Sequence, residues 1–243
     1  MITRKNPPLV AHLPEYCTRA VAEQAALLWM ALLRKLPEQQ ENWPKFKRDA
    51  LTGGENLGRS LLVAGVGRIG HEIVKIGKGL GMRTNGADPI QRHPDVEYVP
   101  LENGVTTADV IVSAMNLTKE NRGLFNFDLL RLAKPGALLI NIARGELVRS
   151  ADIARLLDEG ILGGVAFDVY NDETVVADAL RSGATQPETD RLRALAERPN
   201  VIFTPHNAFN TTEALARKAD LTVEQVVFFL ESKRFKWPFP ASD

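Results

Sequence analysis

Apolar residues fall along this chain in two rhythms, short continuous runs and longer stretches spaced at helical intervals. Ser60–Ala64 is a compact apolar run, and Ile73, Val74, Ile76 and Leu80 follow on one helix face, with Gly79 and Gly81 to stop the helix. A second run covers Met82–Ala87. Val96–Val99 reads as a brief strand and Asp109–Ala114 as a stronger one; Ala137–Ile142, Leu162–Val169 and Val201–Thr204 complete the series. Between them Phe127–Leu132 and Ser150–Leu157 read as helices, the second closed by Gly160. The polar stretch 171–199 reads as loop plus a helix near 190–197. Strand alternating with helix predicts an α/β fold, a doubly wound parallel sheet covered on both faces.

The ends carry different patterns. A first helix from about Arg19 to Leu36, ended by Pro37, is apolar on every face between Ala25 and Leu33. Such a helix needs cover all round, so it is expected between domains, in a subunit interface or in a plain core. That need predicts a homodimer. Residues 37–59, rich in Pro, Gly and charge, read as a connecting loop with at most a short helix. A last helix begins near Asn210, which has capping-box spacing with Glu213; Leu215, Ala219, Val223, Val226, Val227 and Leu230 form its stripe. The tail Trp237–Pro240 is expected to be irregular and packed through its aromatics.

Length and composition narrow the field. The 243 residues suffice for one large or two modest domains. Thirty basic and thirty acidic side chains cancel, so neither nucleic acid nor an anionic membrane is an expected partner. No apolar run is long enough to span a bilayer as a helix. A single cysteine, Cys17, excludes an internal disulfide and fits a reducing, cytoplasmic setting. His12, His71 and His93 show no metal-ligand spacing, and no metal is expected.

The most informative segment is Leu61–Asp88. After the first strand, Gly65-Val66-Gly67-Arg68-Ile69-Gly70 gives GxGxxG, a helix follows, and the second strand ends at Asp88. The first glycine makes the turn, the second admits a pyrophosphate, and the third lets helix and strand pack closely. The helix N-terminus offers N–H groups and a positive dipole end to phosphates. Asp88 falls where a carboxylate accepts the ribose hydroxyls of NAD and would repel the extra phosphate of NADP. A bare GxGxxG is weak, but strand, helix and acid in register point to a Rossmann dinucleotide site.

Three side chains lie after or beside predicted strand ends. Arg144 follows Asn141-Ile142-Ala143, Glu173 closes Asp168-Val169-Tyr170-Asn171-Asp172, and His206 lies within Thr204-Pro205-His206-Asn207. Singly they read as a surface cation, a solvated acid and a half-buried imidazole. Together at one edge of a nucleotide-binding sheet they suit carbonyl reduction. His206 would exchange the proton of the carbonyl oxygen, Glu173 would orient the imidazole, and Arg144 would grip a carboxylate beside the carbonyl. The substrate would then be a small 2-hydroxy or 2-oxo acid.

The ordered motifs GVGRIG, NIARGELV, DVYNDE and TPHNAF resemble the D-isomer-specific 2-hydroxyacid dehydrogenases over nearly the whole chain from about Pro8. The resemblance implies NAD as cofactor and gives Arg144, Glu173 and His206 the catalytic roles. It assigns Gly65, Gly67, Arg68, Ile69 and Gly70 to the pyrophosphate loop and Asp88 to the ribose. It sets Asp168 toward the nicotinamide amide, Ile142 and Ala143 along the nicotinamide side, and Met115, Asn116 and Asn121 on the adenine-side loop. Asn116 and Thr174 stand where the family often has proline. Family members also begin with a separate substrate lobe, which this chain is expected to lack as a piece of a longer protein. Residues 1–20 and 210–243 are then remnants of the smaller substrate domain, flanking a dinucleotide-binding domain at 21–209.

Two other readings compete. One is an NAD-binding, dimerising module without turnover. The other is a methyltransferase on a similar sheet, which leaves Arg144 and His206 without a role.

Overall fold

Ser60–Ala64 forms β1, a strand whose last four residues are buried and which pairs in parallel on both sides. The computed structural model describes residues 9–239, so the outer residues of both termini, Pro240 of the tail included, lie outside the described residues. β2 (Arg83–Ala87) and β3 (Glu97–Tyr98) extend the sheet on one side of β1. β4 (Val110–Ser113), β5 (Ala137–Asn141), β6 (Leu162–Phe167) and β7 (Val201–Phe203) extend it on the other. The order is β3-β2-β1-β4-β5-β6-β7 and every pairing is parallel. β4 and β5 are buried at every position, as expected for strands covered on both faces. The doubly wound α/β reading holds. Strand order reverses between β1 and β4, and ligands of such sheets bind outside the carboxyl ends there.

The helices are α1 (Thr18–Leu33), α2 (Leu36–Asn42), α3 (Arg68–Gly79), α4 (Leu101–Thr107), α5 (Phe127–Leu130), α6 (Ser150–Asp158), α7 (Glu173–Ser182), α8 (Pro187–Ala196) and α9 (Thr212–Ser232). Several depart from expectation. α1 ends at Leu33, where Gly54 N–H donates to the Leu33 carbonyl at 2.7 Å and Lys35 turns left-handed. Pro37 therefore lies in the first turn of α2, where its missing N–H costs nothing, instead of ending α1. Nor is α1 covered all round: Trp29 is fully buried, yet Leu27 is 52% exposed. The stretch read as loop after Asn171 holds a second helix, α7, which buries Val176 and Ala179. α4 also escaped the pattern, being seven residues long with Gly104 packed against Leu62.

The chain divides into two compact units, Val21–Ala208 and Met1–Ala20 with Phe209–Asp243. The first holds the whole sheet. In the second, α9 is capped by Thr211, whose side chain accepts from Ala214 N–H at 3.1 Å, so the expected Asn210–Glu213 box is displaced by one residue. Its apolar stripe is not buried, Val223 and Leu230 being about 60% exposed; Ala214 and Gln225 are the buried positions. Gln225 accepts from the N–H groups of Lys236 and Trp237. The tail is irregular; its backbone bonds to His12 N–H and the Val10 carbonyl, Trp237 is half-buried, and Phe239 is 65% exposed. Among the described residues, no helix is long and apolar enough to cross a membrane.

Candidate active site

The glycine loop links β1 to α3 at the reversal of strand order. Gly65 has φ +92°, and a Cβ there would stand 2.4 Å from Met115 Cα, so only glycine lets the loop after β4 approach. A Cβ on Gly70 would lie 2.0 Å from the Gly65 carbonyl oxygen, which fixes the close seat of α3 on the loop. Gly67 differs: a Cβ would meet no protein atom, and it is the N-cap of α3 with no side-chain cap. Open space before a 12-residue helix's positive end is what a pyrophosphate requires. Arg68 is exposed and Ile69 half-buried in the first turn.

Asp88, just past β2, accepts from Val66 N–H and from Ile90 N–H, each at 2.8 Å. One carboxylate thus ties the glycine loop to its own turn. A carboxylate has about four acceptor positions, so capacity for ribose hydroxyls remains. The side chain of Asn121 binds the loop after β4 to itself, accepting from Thr118 N–H at 2.7 Å and donating to the Asn116 carbonyl at 2.8 Å. Gly65, Gly67, Asp88, Met115, Asn116 and Asn121 line one cavity of about 370 Å³, with Ile90 and Arg92 as further wall residues. A larger concavity of about 580 Å³ opens at Ser60 and Arg83, at the amino ends of β1 and β2, away from the loop edge. Chemistry therefore marks the site better than size. The residues present fit a dinucleotide.

Along the same edge, β5 runs into the turn Ile142-Ala143-Arg144. Asn141 makes this turn, accepting from Ala143 N–H and donating to the Arg144 carbonyl at 2.9 Å. Ile142 and Ala143 are buried; Arg144 is exposed, with Nη1 donating to the Ala143 carbonyl at 2.7 Å. Gly145 then packs directly on the backbone of Tyr170 and Asn171. This approach brings the arginine turn against the segment that leads to Glu173.

Glu173 is the first residue of α7, preceded by Asp172 at φ 49°. His206 also sits left-handed, at φ 51°. Two non-glycine residues in that region mark backbone held by its surroundings. The holding groups are visible. Asp168, past β6 and fully buried, accepts from the Thr204 hydroxyl and from the N–H groups of Asn207 and Ala208, the last two at 2.9 Å. Tyr170 Oη donates to the Thr204 carbonyl at 2.8 Å and contacts the Phe167 carbonyl at 3.2 Å. Burial, then the charges of Asp168 and Glu173, push the Tyr170 phenol far up, so it remains a donor. With its loop so clamped, His206 Nδ1 lies 2.7 Å from Glu173 Oε1. Both side chains are about 40% exposed. A contact so exposed is worth little, about 0–1 kcal/mol even between full charges, so its use is orientation of the ring, not stability.

A family model described as D-isomer specific 2-hydroxyacid dehydrogenase, NAD binding domain, matches residues 26–208. The chain belongs to this family. Among dehydrogenase relatives, a D-lactate dehydrogenase of Streptococcus agalactiae serotype V is 32% identical, over 95% of this chain and 72% of that protein. The crystal structure of a D-lactate dehydrogenase from Aquifex aeolicus, complexed with NAD and lactic acid, superposes with TM-score 0.85 at 30% identity. That match covers 92% of this chain and 69% of the other. A D-2-hydroxyisocaproate dehydrogenase superposes with TM-score 0.87 at 29% identity, over 95% and 71% of the two chains. The dehydrogenase fold and its NAD-binding domain are thus shared, and NAD is the cofactor of the domain.

The resemblance sets Asp168 toward the nicotinamide amide; its carboxylate also bonds the segment carrying His206. Tyr170 and Gly145, which clamp that edge, were not among the expected site residues. A tyrosine and a glycine just past predicted strand ends were the available signals, but neither type by itself distinguishes a clamp from a turn.

Proposed function

We propose that this chain is an NAD-dependent oxidoreductase that interconverts a small 2-hydroxy acid of D configuration and its 2-oxo acid. The observation that carries the reading is the 2.7 Å contact of His206 Nδ1 with Glu173 Oε1, at the loop edge of a nucleotide-binding sheet. Bound NAD supplies or accepts the hydride. Gly65, Gly67 and the first turn of α3 hold its pyrophosphate, and Asp88 its ribose. A carboxylate only accepts, so Glu173 fixes the proton on His206 Nδ1 and leaves Nε2 to exchange a proton with the substrate oxygen. The planar guanidinium of Arg144 binds the substrate carboxylate in two hydrogen bonds and draws charge toward the carbonyl oxygen. Ile142 and Ala143, both buried, present an apolar wall beside the reacting groups, and Asp168 acts through the loop that carries His206.

The relatives' names point to lactate-sized substrates, and the single cysteine fits a reducing, cytoplasmic setting. Leu27, exposed within the apolar run Ala25–Leu33, is the motive for a homodimer, which sedimentation at micromolar concentration would read as twice the chain mass.

The deciding experiment follows NADH oxidation with pyruvate, glyoxylate and hydroxypyruvate over the acidic to alkaline range. Turnover is expected, and His206→Ala is expected to lower kcat by about 10²–10⁴. NADH binding without turnover at any pH, or full activity in the variant, would overturn the proposal.

A further inference from the structure

Away from the His206 edge, three metal-ligating side chains converge on the outer face of α3. His71 stands in the first turn, its backbone fixed by the bond from its N–H to the Gly67 carbonyl at 2.9 Å. Its Nε2 lies 3.0 Å from both carboxylate oxygens of Asp95. The His93 ring stacks on the His71 ring, with centroids 3.8 Å apart and planes 17° from parallel. His71 keeps only 17% of its side chain exposed, whereas Asp95 keeps 49%. The segment bearing the other two is tied down: His93 N–H donates to Tyr98 Oη at 3.2 Å, and Val96 N–H to the His93 carbonyl at 3.1 Å.

We propose that His71, His93 and Asp95 form a binding site for a divalent transition-metal ion of zinc's class. Each offers one donor atom, and the three atoms lie within 4.8 Å of one another. Bonds of about 2.0–2.2 Å to zinc require donors about 3.3 Å apart. His71 Nε2 and the Asp95 carboxylate already lie 3.0 Å apart, so the adjustment falls on His93, whose ring must turn out of the stack to aim a nitrogen at the shared ion. Two imidazoles and one carboxylate suit zinc, nickel or copper; magnesium and calcium need more oxygen donors than this cluster has. A fourth position is left for water.

Two features oppose a cation here and set the affinity. Lys78 Nζ donates to the Asp95 carbonyl and stands 3.7 Å from its carboxylate, and the first turn of α3 is the positive end of its dipole. Both weaken binding without blocking a ligand. The bound ion would cross-tie α3 to the connection between β2 and β3, one residue beyond Arg92 in the dinucleotide cavity wall. In the chain the histidines lie far apart, which is why no ligand spacing was legible.

Titration calorimetry of the chain carrying Cys17→Ser, with zinc chloride as probe, tests the site. One zinc per chain at micromolar affinity is expected, with His93→Ala weakening it at least about tenfold and Lys78→Met tightening it. In ring-nitrogen NMR, His71 and His93 should shift together while His12 and His206 stay in place. His93 lies in a loop, so its variant leaves the fold intact even if His71→Ala does not. Zinc binding weaker than about 100 μM, or binding unchanged by both His93→Ala and Asp95→Asn, would overturn the proposal.

Discussion

A methyl group on Gly145 would stand 1.8 Å from the carbonyl carbon of Tyr170, so these two backbones meet at the limit of approach. The contact seats the turn bearing Arg144 beside the segment leading to Glu173. Gly145→Ala should therefore cost about 1–3 kcal/mol or more, since backbone must move on both sides. Urea unfolding reads the loss, and kcat/KM for a 2-oxo acid should fall further than stability alone accounts for.

Asp168 is a second structural pivot. Its carboxylate accepts three hydrogen bonds from the segment that carries His206. Asp168→Asn keeps the volume but turns an amide NH₂ toward a backbone N–H. We expect a cost of about 2 kcal/mol or more, because a buried charge-assisted bond is lost and a donor left unpaired. Thermal unfolding measures it. Amide exchange at Asn207 and Ala208 should accelerate, and kcat should fall while NADH affinity changes less.

Asp88 serves three partners, the N–H groups of Val66 and Ile90 and, by the proposed function, the ribose. Asp88→Ala should weaken NADH about tenfold, the worth of one charge-assisted bond. The preference for NADH over NADPH should shrink as the repelling charge disappears. Fluorescence titration with both cofactors checks each statement.

Acid should act through Asp109. Burial pushes its carboxyl up, but hydrogen bonds from Lys134 and from Ser60 N–H, with the charges of Lys134 and Arg59, outweigh burial and hold it below the usual carboxylate range. Lys134 Nζ stands 2.6 Å from its Oδ1. A folded value below the unfolded one gives stability that is present above the unfolded value and lost as pH falls through the folded one. Stability of the unaltered chain should thus drop more steeply below about pH 4 than that of Asp109→Asn. Urea midpoints across that range are the measurement.

Much of this molecule was legible before folding was considered. The runs around Leu62, Ile111 and Leu139 are buried strands, short apolar stretches of the length that a sheet covered on both faces buries at every residue. The polar helices were harder. α7 offers only a narrow apolar face, Val176 and Ala179, inside a charged stretch, and α4 is too short to show a period. α9 misled in the other sense: its periodic valines and leucines are exposed, because period reports which residues share a face and not whether that face finds cover.

At the candidate site the division is similar. The primary structure by itself determined the strand-and-helix alternation, the glycine loop with its acid, and which side chains carry titratable or guanidinium chemistry, since these depend on residue type and local spacing. Only tertiary structure decided that Asp168 and Tyr170 clamp the segment of His206, that Gly145 seats Arg144's turn, and that His71, His93 and Asp95 meet. Those relationships join residues from separate crossovers, and a distance across a sheet is set by packing of the whole chain.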